Sequence, residues 1–337
     1  MNLIEFRWAN WIKLYRNTCK YDLSNSGLSM PNFIDVGIDT SWDNFLDHEK
    51  DAEEELKGEL AILYGTKKTN ILITVGATEG IFIVSGFFSA CSRRIIVKLP
   101  EYEPLFIAPR ALGMKVAHKV TNIEKGDSFS ASLPNNPTGS LDFESVLEKY
   151  NKDHMFHLGE AFREYLFDES RKTVFGKYDN VIISSTMTKF YGLDNLRVGW
   201  LISNEENIEK MKYVKNLTSI DGAAYSYWLA TQALKNRPKF IERAKKLIFE
   251  NRKMLIETLE NIDKIEFTPT TMPFVFIKYK GMSSLKLCKL AIEKYGILIA
   301  PGKFFGKDYC FRACLTSEKN QFAVNINALS KFLKENL

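Results

Sequence analysis

Short apolar runs alternate with helical patterns through the middle of this chain, and this alternation restricts the fold more than any other feature. The runs carry apolar residues on both faces, which is typical of strands covered by helices on both sides of a sheet. Such strands in alternation with helices indicate a mostly parallel sheet. The predicted strands cover residues 70–75, 94–99, 128–133, 154–159, 179–184 and 198–203. We therefore expect an α/β fold.

The pattern changes in the C-terminal third, where it is typical of an α+β unit. The elements predicted there are a helix over 238–262, a strand over 274–279, a helix over 285–295, a strand over 311–315 and a helix over 321–336. A further helix is predicted over 46–64, before the first strand. We predict a large domain over residues 40–237 and a smaller domain formed by residues 1–39 together with 238–337.

The bulk composition excludes several classes of protein. The net charge is only +5 and Lys and Glu are interspersed, which gives no case for a nucleic-acid partner. The first residues carry charge at once, and the longest apolar stretch, a predicted helix over 81–90, falls short of the roughly 20 residues that span a bilayer. We expect no membrane segment. Five cysteines at irregular spacing predict neither a disulfide framework nor a metal site, so we expect a cytoplasmic location.

Lys189 follows one of the predicted strands in the run Ser184–Trp200. A lysine at the end of a buried strand is partly desolvated, and its amine can then be neutral and nucleophilic near pH 7. The Thr186 hydroxyl and the guanidinium of Arg197, eight residues beyond Lys189, suit an anion such as a phosphate. An amine beside a phosphate site is the combination that pyridoxal 5′-phosphate (PLP) requires.

The same run resembles the class I and II PLP-dependent aminotransferases, which include the relatives of aspartate and histidinol-phosphate aminotransferase. The resemblance extends from about residue 20 to residue 335. It implies the PLP transferase fold type I, with a seven-stranded sheet in the large domain. It also implies a homodimer with the active site between the domains and at the dimer interface. In such a site Lys189 forms the Schiff base with PLP, and Thr186 and Arg197 hold the phosphate.

Three further motifs follow in the order of this family. Gly76-Ala77-Thr78 joins a predicted strand to a helix, where free N–H groups and the helix dipole favour an anion, and it matches the family's phosphate-binding turn. Tyr102 matches the aromatic residue whose ring lies against the pyridine. Asn136, within Asn-Pro-Thr-Gly, matches the asparagine that bonds the cofactor's phenolic oxygen, and we also assign it to the substrate site.

Arg312 lies in a predicted strand near the C-terminus and shares a face with Cys310 and Cys314. A guanidinium among apolar neighbours needs an anionic partner. The position matches the family arginine that grips the α-carboxylate of the substrate through a two-pronged contact. We therefore predict that Arg312 binds the substrate.

The chain departs from the family at two positions. Gly159 stands where the family carries an aspartate, and Phe162 stands where it carries a tyrosine. A carboxylate against the pyridine nitrogen keeps the ring protonated and able to accept electrons, so its loss predicts slower removal of the α-proton. His157 shares a strand face with Gly159 and is an alternative contact for the ring, whereas Glu160 is expected on the opposite face.

The sequence thus favours a PLP-dependent aminotransferase that moves an amino group between an amino acid and a 2-oxo acid, with reduced activity as a consequence of the two departures. One alternative is a PLP-dependent lyase or decarboxylase that resembles threonine-phosphate decarboxylase. The other is a PLP-binding protein without catalysis. Trp42 is a candidate for the residue that a partner chain adds to the phosphate site.

Overall fold

The computed structural model describes residues 3–337. The helices are α1 (Arg7–Tyr15), α2 (Phe33–Val36), α3 (Trp42–Leu46), α4 (Ala52–Tyr64), α5 (Gly76–Cys91), α6 (Pro104–Ala111), α7 (Phe143–Tyr150), α8 (Glu205–Lys215), α9 (Ala224–Lys235), α10 (Arg237–Leu259), α11 (Ser284–Tyr295) and α12 (Lys319–Asn336). The strands are β1 (Tyr21–Asp22), β2 (Ile71–Thr74), β3 (Arg94–Ile96), β4 (Val116–Ala117), β5 (Asp127–Ser132), β6 (Met155–Gly159), β7 (Val181–Thr186), β8 (Gly199–Ile202), β9 (Ile265–Glu266), β10 (Phe274–Tyr279), β11 (Ile297–Leu298), β12 (Ala300–Pro301) and β13 (Cys310–Cys314).

Seven strands form the central sheet, in the order β2-β8-β7-β6-β5-β3-β4. Strand β8 runs antiparallel to both of its neighbours, and the other pairs are parallel. The predicted α/β fold with a mostly parallel seven-stranded sheet is therefore confirmed. The apolar runs correspond to six of these strands. The seventh, β4, has only two residues, which is too short to produce a periodic signal.

One edge of this sheet collects the ends of several strands. Strands β5, β6 and β7 end at Ser132, Gly159 and Thr186, and the register pairs Ser132 with Gly159 and Thr186 with Gly199. Because β8 is antiparallel, it begins at this edge, so the loop before it also lies there. Ligands of open α/β sheets bind in the crevice beyond the carboxyl ends of the strands.

The C-terminal third forms a separate antiparallel sheet in the order β12-β13-β10-β9. The short strand β1 pairs in parallel with β11, with Tyr21 opposite Ile297, so the N-terminal segment joins this part of the chain. This arrangement agrees with the α+β pattern that the sequence indicates. The domain division at residues 39/40 and 237/238 stays a prediction. No helix in the described part of the chain combines the length and the apolar content that crossing a bilayer requires.

Two helices differ from their predicted bounds by five residues or more. Helix α5 begins at Gly76 rather than at residue 81, because β2 ends at Thr74 and Gly76, with a φ of +75°, turns the chain directly into the helix. The helix predicted over 46–64 corresponds to α4, which begins only at Ala52, while Leu46 is the last residue of the separate helix α3. The residues between them, 47–51, are all polar and form a turn, since they offer no apolar side chain to bury.

Candidate active site

A cavity of about 220 Å³ lies at the strand-end edge of the central sheet. Most of the site residues predicted from the sequence line it, namely Ala77, Thr78, Tyr102, Asn136, Thr186, Lys189, Arg197 and Arg312. Gly76 lies directly behind its wall, where an added Cβ would be 2.6 Å from Nη2 of Arg197. The fold thus brings the predicted site residues to one place, although they are spread over more than 230 positions of the sequence.

Lys189 lies in the turn after β7 and is fixed through its main chain. Its carbonyl oxygen accepts hydrogen bonds from Leu28 N at 2.9 Å and from Tyr165 Oη at 3.1 Å. Its Nζ donates to Ser26 Oγ at 3.2 Å. Burial lowers the pKa of the Lys189 amine to about 8, and the charge of Arg312 adds to this lowering. About a tenth of the amine is then unprotonated at pH 7, far more than for an ordinary lysine, and attack on a carbonyl requires this neutral form.

An anion site forms where α5 begins. The first N–H groups of a helix have no partner within it, and the helix dipole favours negative charge at this end. Arg197 brings a guanidinium to the same place, and its Nη1 donates to Asp194 O at 3.2 Å. Gly199 lets β8 run close to the turn, since a Cβ there would lie 2.6 Å from the carbonyl carbon of Gly76.

The Thr186 hydroxyl, predicted to bind a phosphate, is already hydrogen-bonded to the main chain. Its Oγ1 donates to Val198 O at 2.9 Å and accepts from Thr188 N at 3.2 Å. The hydroxyl of Thr188 lies 3.0 Å from that of Thr186 and also lines the cavity. Because the main chain takes the Thr186 proton, Thr188 is the better source of a free hydroxyl donor for an anion.

Arg312 is buried among aromatic rings, with 2% of its surface exposed. Its Cζ lies 5.4 Å from the ring centre of Trp8 and 5.1 Å from that of Phe305. Its Nη1 donates to Asn136 Oδ1 at 2.7 Å, and its Nη2 donates to Ser24 O at 3.1 Å. Its Nε has no hydrogen-bond partner within residues 3–337. A buried cation with an unpaired donor is suited to an anionic ligand.

A buried carboxyl group supports Asn136 from behind. Glu101 accepts from Ser132 N at 2.9 Å and from Asn135 Nδ2 at 3.1 Å, and the Ser132 hydroxyl also donates to it. The same hydroxyl accepts from Asn136 N at 2.7 Å. Burial raises the pKa of Glu101 to about 8, although these donors act against the rise. Through Ser132, Glu101 holds the main chain of Asn136 in place.

Tyr102 and Phe162 supply aromatic walls. Tyr102 is half-buried and packs edge-on against Phe6, with the ring centres 6.2 Å apart. Phe162 packs edge-on against Phe274 at 5.0 Å and offers no hydrogen-bond donor. The wall at Phe162 is therefore apolar at the position where the resemblance implies a tyrosine hydroxyl.

Gly159 leaves open space in the cavity wall. A Cβ added there would be 3.7 Å from Ser184 Oγ and no closer to any other atom outside its chain neighbours. His157 does not fill this space, because its Nδ1 and Nε2 each lie 2.9 Å from a serine hydroxyl, of Ser130 and of Ser184. His157 does not line the cavity and both of its ring nitrogens are paired, so the structure gives no support to a direct contact between His157 and the cofactor ring, which stays a prediction.

Two further candidates lie away from the cavity. Glu160 is on the opposite side, as expected, where it accepts from Val174 N at 2.8 Å. Trp42 begins α3, is 60% exposed, and packs beside Tyr225. Its contact with a partner chain stays a prediction.

Sequence reasoning missed several residues of the cavity wall, namely Trp8, Ser26, Ser132, Ser184 and Thr188. Ser132 and Ser184 lie at the ends of predicted strands and Thr188 precedes the key lysine, so strand-end position was an available signal. Trp8 and Ser26 had none, because Ser26 reaches Lys189 across 163 positions of the sequence.

The residues of this cavity fit PLP. The group carries a phosphate, an aldehyde and a flat ring, and the cavity offers an anion site at the start of α5, an amine at Lys189 and a flat wall at Tyr102. The glycines at 76 and 199 matter here, because side chains at either position would collide with the guanidinium or with the turn.

The fold is that of the PLP transferases of fold type I. A solved PLP-dependent aminotransferase from Streptococcus suis 89-1591 superposes with a TM-score of 0.84, at 22% identity, over 99% of this chain and 99% of that one. The profile described as aminotransferase class I and II matches residues 9–327. The chain therefore belongs to the class I and II aminotransferases, a family of PLP-dependent enzymes.

Curated relatives carry the name histidinol-phosphate aminotransferase. The one numbered 2 in Haemophilus influenzae (strain 86-028NP) is 30% identical over 305 residues, which cover 83% of this chain and 80% of that protein. The one from Methanococcus maripaludis (strain C6) is 29% identical over 206 residues, which cover 59% of this chain. The chain spans about half of the length of the Methanococcus relative, 54%.

Proposed function

We propose that this protein is an aminotransferase that moves an amino group between an amino acid and a 2-oxo acid, with PLP attached covalently to Lys189. One observation carries the proposal: an amine whose pKa burial lowers to about 8 lies in one cavity with two separate cationic sites, at Arg197 and at Arg312. A phosphate-bearing aldehyde and a substrate carboxylate are the two anions that such a site would hold on either side of the amine.

Binding of the cofactor falls to the residues at the start of α5 and around Lys189. When bound, PLP supplies an aldehyde that captures primary amines and a ring that takes up electrons from the substrate. Gly76, Ala77 and Thr78 would hold the phosphate through main-chain N–H groups, with Arg197 and the Thr186–Thr188 hydroxyl pair completing the site.

The remaining residues orient the substrate and move its proton. Arg312 would grip the α-carboxylate with its free Nε and one Nη, and Asn136, already bonded to Arg312, would lie between that carboxylate and the cofactor's phenolic oxygen. Tyr102 would cover one face of the ring. Nζ of Lys189 would take the proton from the substrate's Cα and return a proton on the cofactor side.

Reduction with borohydride tests the attachment. Purified protein supplied with PLP should be yellow, and reduction followed by peptide mapping should place the modification on Lys189. A separate sample of the PLP-loaded protein, not treated with borohydride, should lose its yellow absorbance and release 2-oxo acids when it is incubated with a panel of amino acids. Colourless protein that takes up no PLP would overturn the proposal, as would an unmodified Lys189.

A second candidate function rests on the cavity wall. Within the described residues, the wall includes three cationic side chains and no carboxylate, so nothing there would hold a protonated pyridine nitrogen. A ring without this partner is a weaker electron sink for any reaction through a substrate carbanion, so the wall does not single out transamination, and a PLP-dependent lyase or decarboxylase is the second candidate. Turnover of the pyridoxamine form by 2-oxo acids identifies the aminotransferase, carbon dioxide release identifies the decarboxylase, and tight PLP binding with neither identifies a protein without catalysis.

The proposal includes a homodimer and a cytoplasmic location. Large apolar side chains are exposed on the single chain, including Ile34 at 84%, Leu217 at 87% and Ile220 at 63%. Such side chains favour burial against another surface. Sedimentation equilibrium should give twice the chain mass of 38.7 kDa, and cell fractionation should place the protein in the cytosol, where its five free cysteines would stay reduced.

A further inference from the structure

Three polar side chains form a hydrogen-bonded row across the middle of the central sheet. Ser130 of β5, His157 of β6 and Ser184 of β7 are joined by two contacts of 2.9 Å, one at each nitrogen of the imidazole. Their exposed fractions are only 1 to 2%. Polar groups in such a core are tolerated because they are paired. The row ends at Ser184, which lines the cavity, so the last hydroxyl of the row lies at the candidate active site.

Ser184 lies beside the space that Gly159 leaves open. Its Oγ is the nearest atom, at 3.7 Å, to the position that a Cβ of residue 159 would occupy. The backbone of Gly159 does not adopt the positive φ that would require glycine, so the residue is not there to permit a turn. At the position where the resemblance implies an aspartate, the available polar group is the Ser184 hydroxyl.

In the part of the chain that the structure describes, the wall around this space offers no negative charge that would stabilise a protonated ring nitrogen. The cavity is lined by Lys189, Arg197 and Arg312, with no carboxylate in the described part of its wall. Glu101 lies behind Ser132, and burial raises the pKa of its carboxyl group to about 8. Without a negative charge beside it, a buried pyridine nitrogen favours its neutral form.

We propose that the Ser184 hydroxyl, positioned by His157, donates a hydrogen bond to the pyridine nitrogen of PLP and leaves that nitrogen unprotonated. This inference rests on the proposed function, because it needs PLP in this cavity. Ser184 is then a cofactor-binding residue, whereas His157 acts through it as a positioning residue.

The tautomer of His157 follows from the row. Burial lowers the pKa of His157 to about 3, so the imidazole is neutral and has one donor and one acceptor nitrogen. If Nε2–H donates to Ser184 Oγ, the serine proton is free to point into the cavity, and Nδ1 accepts the proton of Ser130. A neutral donor draws fewer electrons from the ring than a paired carboxylate would, which slows α-proton removal.

The test uses PLP labelled with ¹⁵N at the pyridine nitrogen and bound to the full chain. The ¹⁵N chemical shift of the bound cofactor is compared with that of free PLP at acidic and alkaline pH, which mark the protonated and unprotonated nitrogen. The wild-type protein should lie near the alkaline reference, displaced from it by the hydrogen bond. This measurement needs no variant.

Variants assign the effect to Ser184. Ser184→Ala should remove the displacement and weaken the Kd of PLP about fivefold, the effect of losing one neutral hydrogen bond. The matched control is Ser185→Ala, because Ser185 is also buried in β7 and lines a different pocket on the other face. Ser185→Ala should leave both the ¹⁵N displacement and the Kd of PLP unchanged. His157→Asn should reduce the displacement without abolishing PLP binding.

Two results would overturn the inference while leaving the proposed function intact: a wild-type shift at the acidic reference, or a Ser184→Ala protein that matches Ser185→Ala in shift and Kd. Failure of the wild-type protein to bind PLP would instead overturn both. If Ser184→Ala does not fold, as judged by circular dichroism, the wild-type shift together with the shift of His157→Asn decides, and a His157→Asn shift equal to that of the wild type would overturn the inference.

Discussion

Arg312 donates a 2.7 Å hydrogen bond to Asn136 across 176 positions of the sequence. Arg312 belongs to β13 of the C-terminal sheet, and Asn136 follows β5 of the central sheet, so this bond joins the two sheets at the cavity. An anion bound to Arg312 would act on the same guanidinium that holds the sheets together. Substrate binding at Arg312, as proposed above, would therefore be linked to the relative position of the two sheets through one side chain.

Arg312→Lys keeps the charge at this position but removes the planar, two-pronged donor. We expect the KM for the amino donor to rise about 30-fold, because one charge-assisted hydrogen bond is worth about 2 kcal/mol. The effect on kcat should be smaller. Steady-state kinetics measure both, with the exposed Arg16→Lys as a control that should behave as wild type. An unchanged KM in Arg312→Lys would contradict the assignment.

The pH dependence of PLP capture should report the Lys189 amine. Burial lowers its pKa from 10.5 to about 8. The fraction of neutral amine therefore falls as pH drops below about 8, and deprotonation is nearly complete about two pH units above that value. Capture of PLP by the cofactor-free protein, followed by stopped-flow absorbance, should accelerate through about pH 8 and then level off. Lys189→Ala should abolish covalent capture, while the exposed Lys177→Ala should not. A midpoint near 10.5 would refute the desolvation argument.

Glu101 should make the protein less stable as pH rises. Its pKa is raised from 4.5 to about 8, so the folded chain keeps a proton that the unfolded chain releases. The stability this proton contributes is fully present below about pH 4.5 and is lost as pH rises through about 8. Urea unfolding at several pH values between about 4.5 and 8 should show that the free energy of unfolding of the wild type declines as pH rises. The decline should be smaller in Glu101→Gln, which has no proton to lose at this position. The exposed Glu148→Gln should follow the wild type, and equal slopes in all three would contradict this account.

Features that depend on local sequence were predictable. The spacing of Thr186, Lys189 and Arg197 is local, and the strand before it carries a clear apolar signal, so the centre of the site could be placed from the sequence. The same holds for the turn at Gly76, although the helix begins earlier than its apolar stretch. In each case neighbouring residues along the chain carry the information.

Features that depend on register or on distant segments were not predictable. His157 is paired by serines from the strands on both sides, and a sequence without an alignment does not give strand register. Ser26 and Trp8 reach the cavity from the N-terminal segment. Glu101 carried no signal in the sequence, because acidic residues usually lie outside the core, yet it is 1% exposed and fully paired.

Gly199→Ala should damage the anion site through a steric clash. A Cβ there would lie 2.6 to 2.9 Å from main-chain atoms of Gly76 and Ala77, which can move only with the strand and the helix. We expect a loss of about 2 kcal/mol in the free energy of unfolding and weaker PLP binding. Gly58→Ala in α4 is the matched control.

At Gly58 an added Cβ meets only the end of the Lys68 side chain, at 3.4 Å. Alanine in a helix interior is then expected to stabilise by up to about 1 kcal/mol. Thermal unfolding and PLP titration compare the two variants directly. The opposite result would be a Gly199→Ala protein that is as stable as Gly58→Ala and binds PLP as tightly. That result would contradict the claim that the close approach of β8 to the turn requires a glycine at position 199.

Gly159→Asp should raise the rate of the amino-donor half-reaction. The site accepts a Cβ without a clash, since the nearest atom is 3.7 Å away, and position 159 lines the cavity, where a carboxylate would favour a protonated ring nitrogen. Each 1.4 kcal/mol gained in the transition state is about tenfold in rate, and we expect a gain of about that size. Gly159→Asn has nearly the same shape without the charge and should give no such gain. Single-turnover absorbance with one amino acid compares both with the wild type, and equal rates for the Asp and Asn variants would show that a missing carboxylate does not limit this step.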